Sequence, residues 1–239
     1  MEACAGKVAI VTGAGSGIGR AIAIELSKAG CRLSLAARTE SQLRVVQREI
    51  VKEDRDALVV PTDLARDTEM QQLVAATLAQ WGTIDYLINN AGWGKKGPLV
   101  KARVEELDQT IKVNLRAPMV LAQLVLPTLI AKRGGAIINI GSISAKMGQA
   151  NVAAYAASKF GLIGLTESLF EEVREYGIKV SAIHPGYVDT PLIPQGAKID
   201  REKMIRPEDI AKAVLFVLTS PVTCCPVEIT IRPQRSPYV

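Results

Sequence analysis

Residues Lys7 to Gly19 read KVAIVTGAGSGIG. The first five, Lys7 to Val11, are a short apolar run of the kind that forms a buried strand. Thr12-Gly13-Ala14-Gly15-Ser16-Gly17-Ile18-Gly19 follows, and then an Ala/Ile/Leu-periodic stretch that predicts a helix to about Ala29. Glycines allow a tight turn and a close backbone approach, and the start of a helix offers unpaired N–H groups at the positive end of its dipole. A glycine loop alone can simply join a strand to a helix. Strand, loop and helix in this order suit the pyrophosphate of a dinucleotide.

The rest of the chain repeats the alternation. Arg32 to Ala37 reads as a second strand, Glu40 to Lys52 as a helix, Ala57 to Pro61 as a third strand ending near Asp63, and Thr68 to Gln80 as a helix. Ile84 to Ile88 is the fourth strand and runs into Asn89-Asn90-Ala91-Gly92, with a loop marked by Trp93, Gly94, Gly97 and Pro98. Two helices are expected next, at about Glu105 to Lys112 and Asn114 to Lys132, followed by a strand from Ala136 to Ile140 and a long helix to about Tyr176. A strand at Lys179 to Ile183, a turn at His184-Pro185-Gly186, a helix from Pro207 to Leu218 and a strand at Val227 to Ile231 close the pattern. Helix alternating with strand predicts an α/β protein: a doubly wound parallel sheet with helices on both faces. At 239 residues, with no linker or repeat, residues 1–239 read as a single domain.

Composition narrows the function classes. Nearly half of the residues are hydrophobic and few are aromatic, as a Val/Ile/Leu sheet covered by Ala- and Leu-rich helices requires. The net charge is +5, yet Lys and Arg are interleaved with Asp and Glu, so no nucleic-acid partner is expected. Basic residues near the expected mouth (Lys95, Lys96, Lys198, Arg201, Lys203, Arg206) suit an acidic substrate or carrier. The most apolar stretch, Ala117 to Ala131, contains Gln123 and Pro127 and is too short to span a bilayer, and no export signal precedes the first strand. Cys4, Cys31, Cys224 and Cys225 show neither disulfide nor metal spacing, and His184 is the only histidine. The expectation is a cytoplasmic protein with reduced thiols, no metal and no membrane partner.

A second stretch carries the chemistry. Gly141 to Gly161 reads GSISAKMGQANVAAYAASKFG, with Tyr155 and Lys159 four residues apart in an Ala-rich run that should be helical. One helical turn puts both on one face, where an ammonium favours the phenolate and lowers the tyrosine pKa toward the range of a general acid/base. Ser142 stands at the carboxyl end of the preceding strand, where open α/β sheets place their ligands.

In this order and spacing, Thr12-Gly13 with Gly17 and Gly19, Asp63, Asn89-Asn90-Ala91-Gly92, Asn114, Ser142, Tyr155 with Lys159, and Pro185-Gly186 followed by Thr190 resemble the short-chain dehydrogenases/reductases over nearly the whole chain. The resemblance implies a Rossmann fold with seven strands ordered 3-2-1-4-5-6-7 and the dinucleotide across their carboxyl ends. It implies hydride transfer between the cofactor and a carbonyl or secondary alcohol: a ketone, a 3-oxoacyl group or a small hydroxy acid. Tyr155 is implied as general acid/base, Lys159 as its partner and the holder of the nicotinamide ribose, Ser142 as the hydrogen-bond partner of the substrate oxygen, and Asn114 as the anchor of a proton-relay water. The implied cofactor contacts are Gly13, Ser16, Gly17, Ile18 and Gly19 at the pyrophosphate and Asp63 with Leu64 at the adenine. Asn90, at the adenosine ribose, and Ala91 and Gly92 follow along the fourth strand, with Pro185, Gly186, Val188 and Thr190 at the nicotinamide.

Cofactor choice follows from the end of the second strand. NAD-using relatives carry an acidic residue there; here the position is Ala37, followed by Arg38 and Thr39, whose guanidinium and hydroxyl suit a 2′-phosphate. NADP is the expected cofactor, with Ser16 standing where many NADP-specific relatives carry a second basic residue. Small apolar residues on the Tyr155 helix (Val152, Ala153, Ala156, Ala157, Gly164, Leu165) imply a homodimer or homotetramer, although the chain ends without the glycine-rich strand of many tetrameric members. The alternative from another class is a cofactor-binding sensor or scaffold that turns nothing over.

Overall fold

A computed structural model of the chain describes residues 4–191, 193 and 199–238. Residue 192 and residues 194–198, Lys198 among them, lie outside the described residues. The chain alternates strand and helix: β1 (Val8–Thr12), α1 (Gly17–Lys28), β2 (Arg32–Ala37), α2 (Glu40–Val51), β3 (Ala57–Pro61), α3 (Asp67–Trp81) and β4 (Tyr86–Asn89). It continues with α4 (Val104–Ile111), α5 (Ala117–Lys132), β5 (Gly135–Ile140), α6 (Ala153–Val173), β6 (Ile178–Pro185), α7 (Pro207–Thr219) and β7 (Glu228–Ile231). All seven strands are parallel, in the order β3-β2-β1-β4-β5-β6-β7. The order reverses between β1 and β4, which opens a crevice at their carboxyl ends.

Both faces of the sheet are covered, so the central strands are apolar on both sides rather than alternating. In β1, Ala9 and Val11 enter one core with Ile22, Leu26, Leu35 and Val214, while Ile10 enters the other with Leu73, Leu87, Leu121 and Ile137. Each of the Val, Leu and Ile side chains contributes about 1.5–3 kcal/mol on leaving water. The amino-terminal end of the sheet is tied by Asp85: its carboxylate accepts from Val8 N at 2.9 Å and from the ammonium groups of Lys7 and Lys132. Burial pushes its pKa up, but these bonds outweigh burial and hold it below the usual carboxylate range.

Two expectations change here. The helices expected on either side of Val113 are one continuous 29-residue helix, Val104–Lys132, through a π-helical turn at Lys112–Arg116. Its length and hydropathy match a membrane span, whereas the sequence reading took its apolar part as too short; its inner face, including Leu121, Val125 and Leu129, is buried under the sheet. Strand β6 also runs on through His184, which pairs with Thr230 of β7 instead of opening a turn.

Candidate active site

The glycine loop leaves β1 with Gly13 at φ +66° and enters α1 through Gly17 at φ +52°, backbone regions that strain any residue with a side chain. A Cβ on Gly19 would stand 2.2 Å from the Gly13 carbonyl oxygen and 2.4 Å from Asn90 Nδ2, so only glycine allows this helix to start so close to the strand. Ser16 is the N-cap of α1 and its hydroxyl makes no capping bond, and the first turn holds no acid. Ala14 N donates to Ala36 O at 3.2 Å, and the first-turn amides and the positive end of the α1 dipole are left for an external anion. Gly17 and Ile18 are half-buried at this turn, and Gly17 faces Thr190, whose methyl would lie 3.2 Å from an added Cβ.

Thr12 stitches β1 to β4. Its Oγ1 accepts from Asn90 N at 3.0 Å and from Ala91 N at 3.1 Å, while Asn90 Nδ2 donates to Thr12 O at 2.9 Å. The Asn90 amide, expected at the adenosine ribose, is thus already engaged as a clamp on the glycine loop. At the far end, Ala37 closes β2, and Arg38 and Thr39 are exposed beyond it. Arg38 makes no ion pair or side-chain hydrogen bond among the described residues. Asp63 Oδ1 accepts from Ala65 N at 3.0 Å and its Oδ2 lies 3.9 Å from Arg66, next to buried Leu64. The carboxyl ends of β1, β2 and β3 so bring residues 13–19, 38–39 and 63–64 along one edge. An open helix N-terminus, a loop with no room for Cβ atoms and an uncompensated guanidinium where an acid would repel a phosphate fit NADP.

The second half of the site lies across the crevice. Gly141 follows β5 and must lack a side chain, since a Cβ would sit 2.2 Å from His184 Nδ1. Ser142 follows in extended backbone and its Oγ accepts from Ser144 N at 3.1 Å. Tyr155 lies in the first turn of α6, and burial pushes its phenol above the ordinary value while hydrogen bonding with Ser142 acts in the opposite sense. Lys159, one turn on, is 3% exposed and donates to Ile140 O at 2.8 Å, with its Nζ 5.7 Å from the centre of the Tyr155 ring. Burial draws its pKa from 10.5 down to about 8. The two residues do share a face, but the sign expected for the phenol is reversed: the ammonium turns to a carbonyl and burial dominates.

Asn114 sits in the π-helical turn, 1% exposed. Its Oδ1 accepts from Trp93 N at 2.8 Å, and its Nδ2 donates to Trp93 O at 2.7 Å and to Ser158 Oγ at 3.0 Å. This amide locks the loop after β4 to helix α6. A Cβ on Gly92 would lie 3.7 Å from Asn114 Oδ1 and 3.9 Å from Lys159 Nζ, so Gly92, Asn114 and Lys159 meet at one point. Sequence reasoning missed Gly94, where an added Cβ would fall 2.8 Å from Cδ2 of Tyr155. It read Gly94 only as a loop marker, because nothing local in WGKKGP points to a distant ring.

Pro185 ends β6, and Gly186 N donates to Ile231 O at 2.8 Å. Val188 is buried and bridges to Ile205, and Thr190 reaches the glycine loop. His184 is fully buried, neither ring nitrogen has a hydrogen-bond partner among the described residues, and burial lowers its pKa, which keeps the imidazole neutral.

A parallel doubly wound sheet, a glycine loop at its switch point and a Ser, Tyr and Lys cluster across the crevice define a dinucleotide-dependent oxidoreductase. Residues 7–198 match the family model of short chain dehydrogenases, and the chain belongs to that family. An uncharacterized oxidoreductase of Staphylococcus aureus (strain USA300) is 37% identical over 233 residues, covering 98% of this chain and all of that one. A counterpart from Staphylococcus epidermidis is 35% identical over 227 residues, covering 95% of this chain and 97% of its own. A metagenomic short-chain oxidoreductase solved with NADP is 38% identical with a TM-score of 0.87, over 98% of this chain and 100% of that one. The actinorhodin polyketide ketoreductase, solved with NADPH as a variant, is 30% identical with a TM-score of 0.89, over 95% and 96% of the two chains.

Proposed function

We propose that the chain, as one domain, is an NADP(H)-dependent oxidoreductase acting on a ketone, a 3-oxoacyl group or a small hydroxy acid, with Tyr155 as general acid/base. One observation carries this reading: Ser142 just past the carboxyl end of β5, Tyr155 in the first turn of α6 and Lys159 one turn on converge across the crevice from the glycine loop. When bound, NADP(H) supplies or takes the hydride. Ser142 holds the substrate oxygen, and the Tyr155 phenol gives it a proton in reduction or removes one in oxidation. Lys159 stands behind the phenol and holds the nicotinamide ribose; Asn114 keeps the β4 loop and α6 in register and anchors the relay water. The glycine loop and α1 hold the pyrophosphate, and Arg38 with Thr39 reads the 2′-phosphate. The reading places the protein in the cytoplasm as a homodimer or homotetramer joined through α5 and α6.

Tyr155→Phe tests it. The substitution removes the transferable proton, so NADPH binding persists while reduction of a panel of ketones, 3-oxoacyl esters and aldehydes falls by at least about 10²-fold. A near wild-type rate would remove Tyr155 from the role. Because burial raises the phenol's pKa, reduction stays flat through neutral pH, and oxidation, which needs the phenolate, climbs with pH to and beyond the ordinary phenol value of about 10.

A further inference from the structure

The six cations expected around the mouth do not act alike. Arg201 and Arg206 both pair with Asp189, at 2.5 and 2.8 Å, and Lys203 pairs with Asp200 at 2.8 Å. On the opposite side Glu106 takes Lys95 at 2.8 Å and Arg103 at 3.1 Å, one carboxylate shared by two cations. Lys96 and Lys101 make no ion pair or side-chain hydrogen bond among the described residues. Among the described residues, the mouth cations left without a partner, Lys96 and Lys101, therefore lie on one side, in the loop of residues 93–102.

That loop, α4 and the start of α6 form an open-mouthed cavity of about 260 Å³, lined by Lys95, Lys96, Lys101, Glu106, Leu107 and Ala154. The volume holds an anionic head and a few carbons, but not a coenzyme. It adjoins the chemistry directly. Ala154 precedes Tyr155, and Gly94, which precedes Lys95, packs against the Tyr155 ring. The loop is fixed on both sides of the lysines, by Trp93 on Asn114 and by Gly97 N on Asn151 O at 2.8 Å. Leu107 in the wall, and Leu99 and Val104, which lie close to lining residues in sequence and are 59% and 66% exposed, suit an aliphatic chain leading to the charge.

We propose that this cavity seats an anionic group, carboxylate or phosphate, carried on the far end of the carbonyl substrate. The proposal rests on the reductase reading and narrows its substrate to carbonyl compounds with an acidic tail.

The test compares levulinate with its methyl ester, and dihydroxyacetone phosphate with dihydroxyacetone, in NADPH oxidation by the wild type and by Lys96→Met/Lys101→Met. At least one acid is preferred over its neutral partner by about tenfold in kcat/KM, the double variant removes that preference, and salt weakens it. A preference for the carboxylate or for the phosphate tells the two sources apart. Turnover without preference, or a preference that survives in the variant, overturns the proposal and leaves the reductase reading standing. Should none of the four be reduced, calorimetry with levulinate and inorganic phosphate on the NADP-loaded protein decides: binding lost in the variant supports the cavity, and binding absent or unchanged overturns it.

Discussion

Substituting Gly94 by alanine isolates the placement of the Tyr155 ring from every other property of the site. The new Cβ would stand 2.8 Å from Tyr155 Cδ2 and 3.4 Å from its Cβ and Cγ. Carbon pairs settle at about 3.5–4.0 Å, so something must yield by about 1 Å. The loop backbone is held by both polar groups of Asn114 and by Asn151, so the shift falls on the ring. Gly94 does not occupy a positive φ, so alanine adds no backbone strain. A reacting group misplaced by about 1 Å costs about 10²-fold. The expected outcome is a 10- to 100-fold fall in kcat, about 1.4–2.7 kcal/mol in the barrier, with NADPH affinity unchanged because the glycine loop is untouched. Gly148→Ala is the control, since nothing lies within 4 Å of its added Cβ. Steady-state reduction of a neutral ketone with fluorescence titration of NADPH measures both quantities. Wild-type kcat in Gly94→Ala would refute the argument that this glycine sets the ring position.

Three further outcomes follow from the same geometry. Ala37→Asp/Arg38→Ala reverses a roughly 10- to 100-fold preference for NADPH over NADH, read as the ratio of kcat/KM; equal use of both cofactors by the unmodified protein removes Arg38 from phosphate recognition. Lys159→Met stabilises the cofactor-free protein at pH 7: burial draws the ammonium's pKa from 10.5 to about 8, equivalent to about 3 kcal/mol against the charged form, less its bond to Ile140 O. The depressed pKa makes wild-type stability rise from pH 8 to 10.5, so the advantage in urea midpoint shrinks over that window, and a pH-independent difference contradicts the assignment. Light scattering at micromolar concentration gives a dimer or tetramer, because Met119 and Phe160 on α5 and α6 are 42% and 46% exposed; a monomer contradicts this.

Periodicity and punctuation made most of the fold legible. Leu43, Val46 and Ile50 mark the buried stripe of α2, and the run Arg32 to Ala37 coincides with β2. Sequence patterns fail where a local signal has a long-range cause. The two helices expected on either side of Val113 are one, because a π-helical turn at Lys112–Arg116 carries the chain through the join without ending the helix. The i,i+4 spacing of Tyr155 and Lys159 placed both on one face, but the direction of the phenol's pKa depends on burial and on the Ile140 carbonyl, neither of which a spacing encodes. Pooling the cations of the mouth failed for a similar reason, since Asp189 lies 12 residues from Arg201 in sequence and 2.5 Å away in space.

The loop after β4 is anchored through main-chain groups at Trp93 and Gly97 and through the Lys95–Glu106 pair, while the side chains of residues 96 and 98–101 take no part in that anchoring. Replacements at those five positions leave the anchoring bonds intact, so the tract accommodates mutational drift that the Asn114, Ser142, Tyr155 and Lys159 set does not. A lineage can acquire a new appetite there before losing the old catalyst, and a library randomised at those codons samples preference without first having to rescue folding.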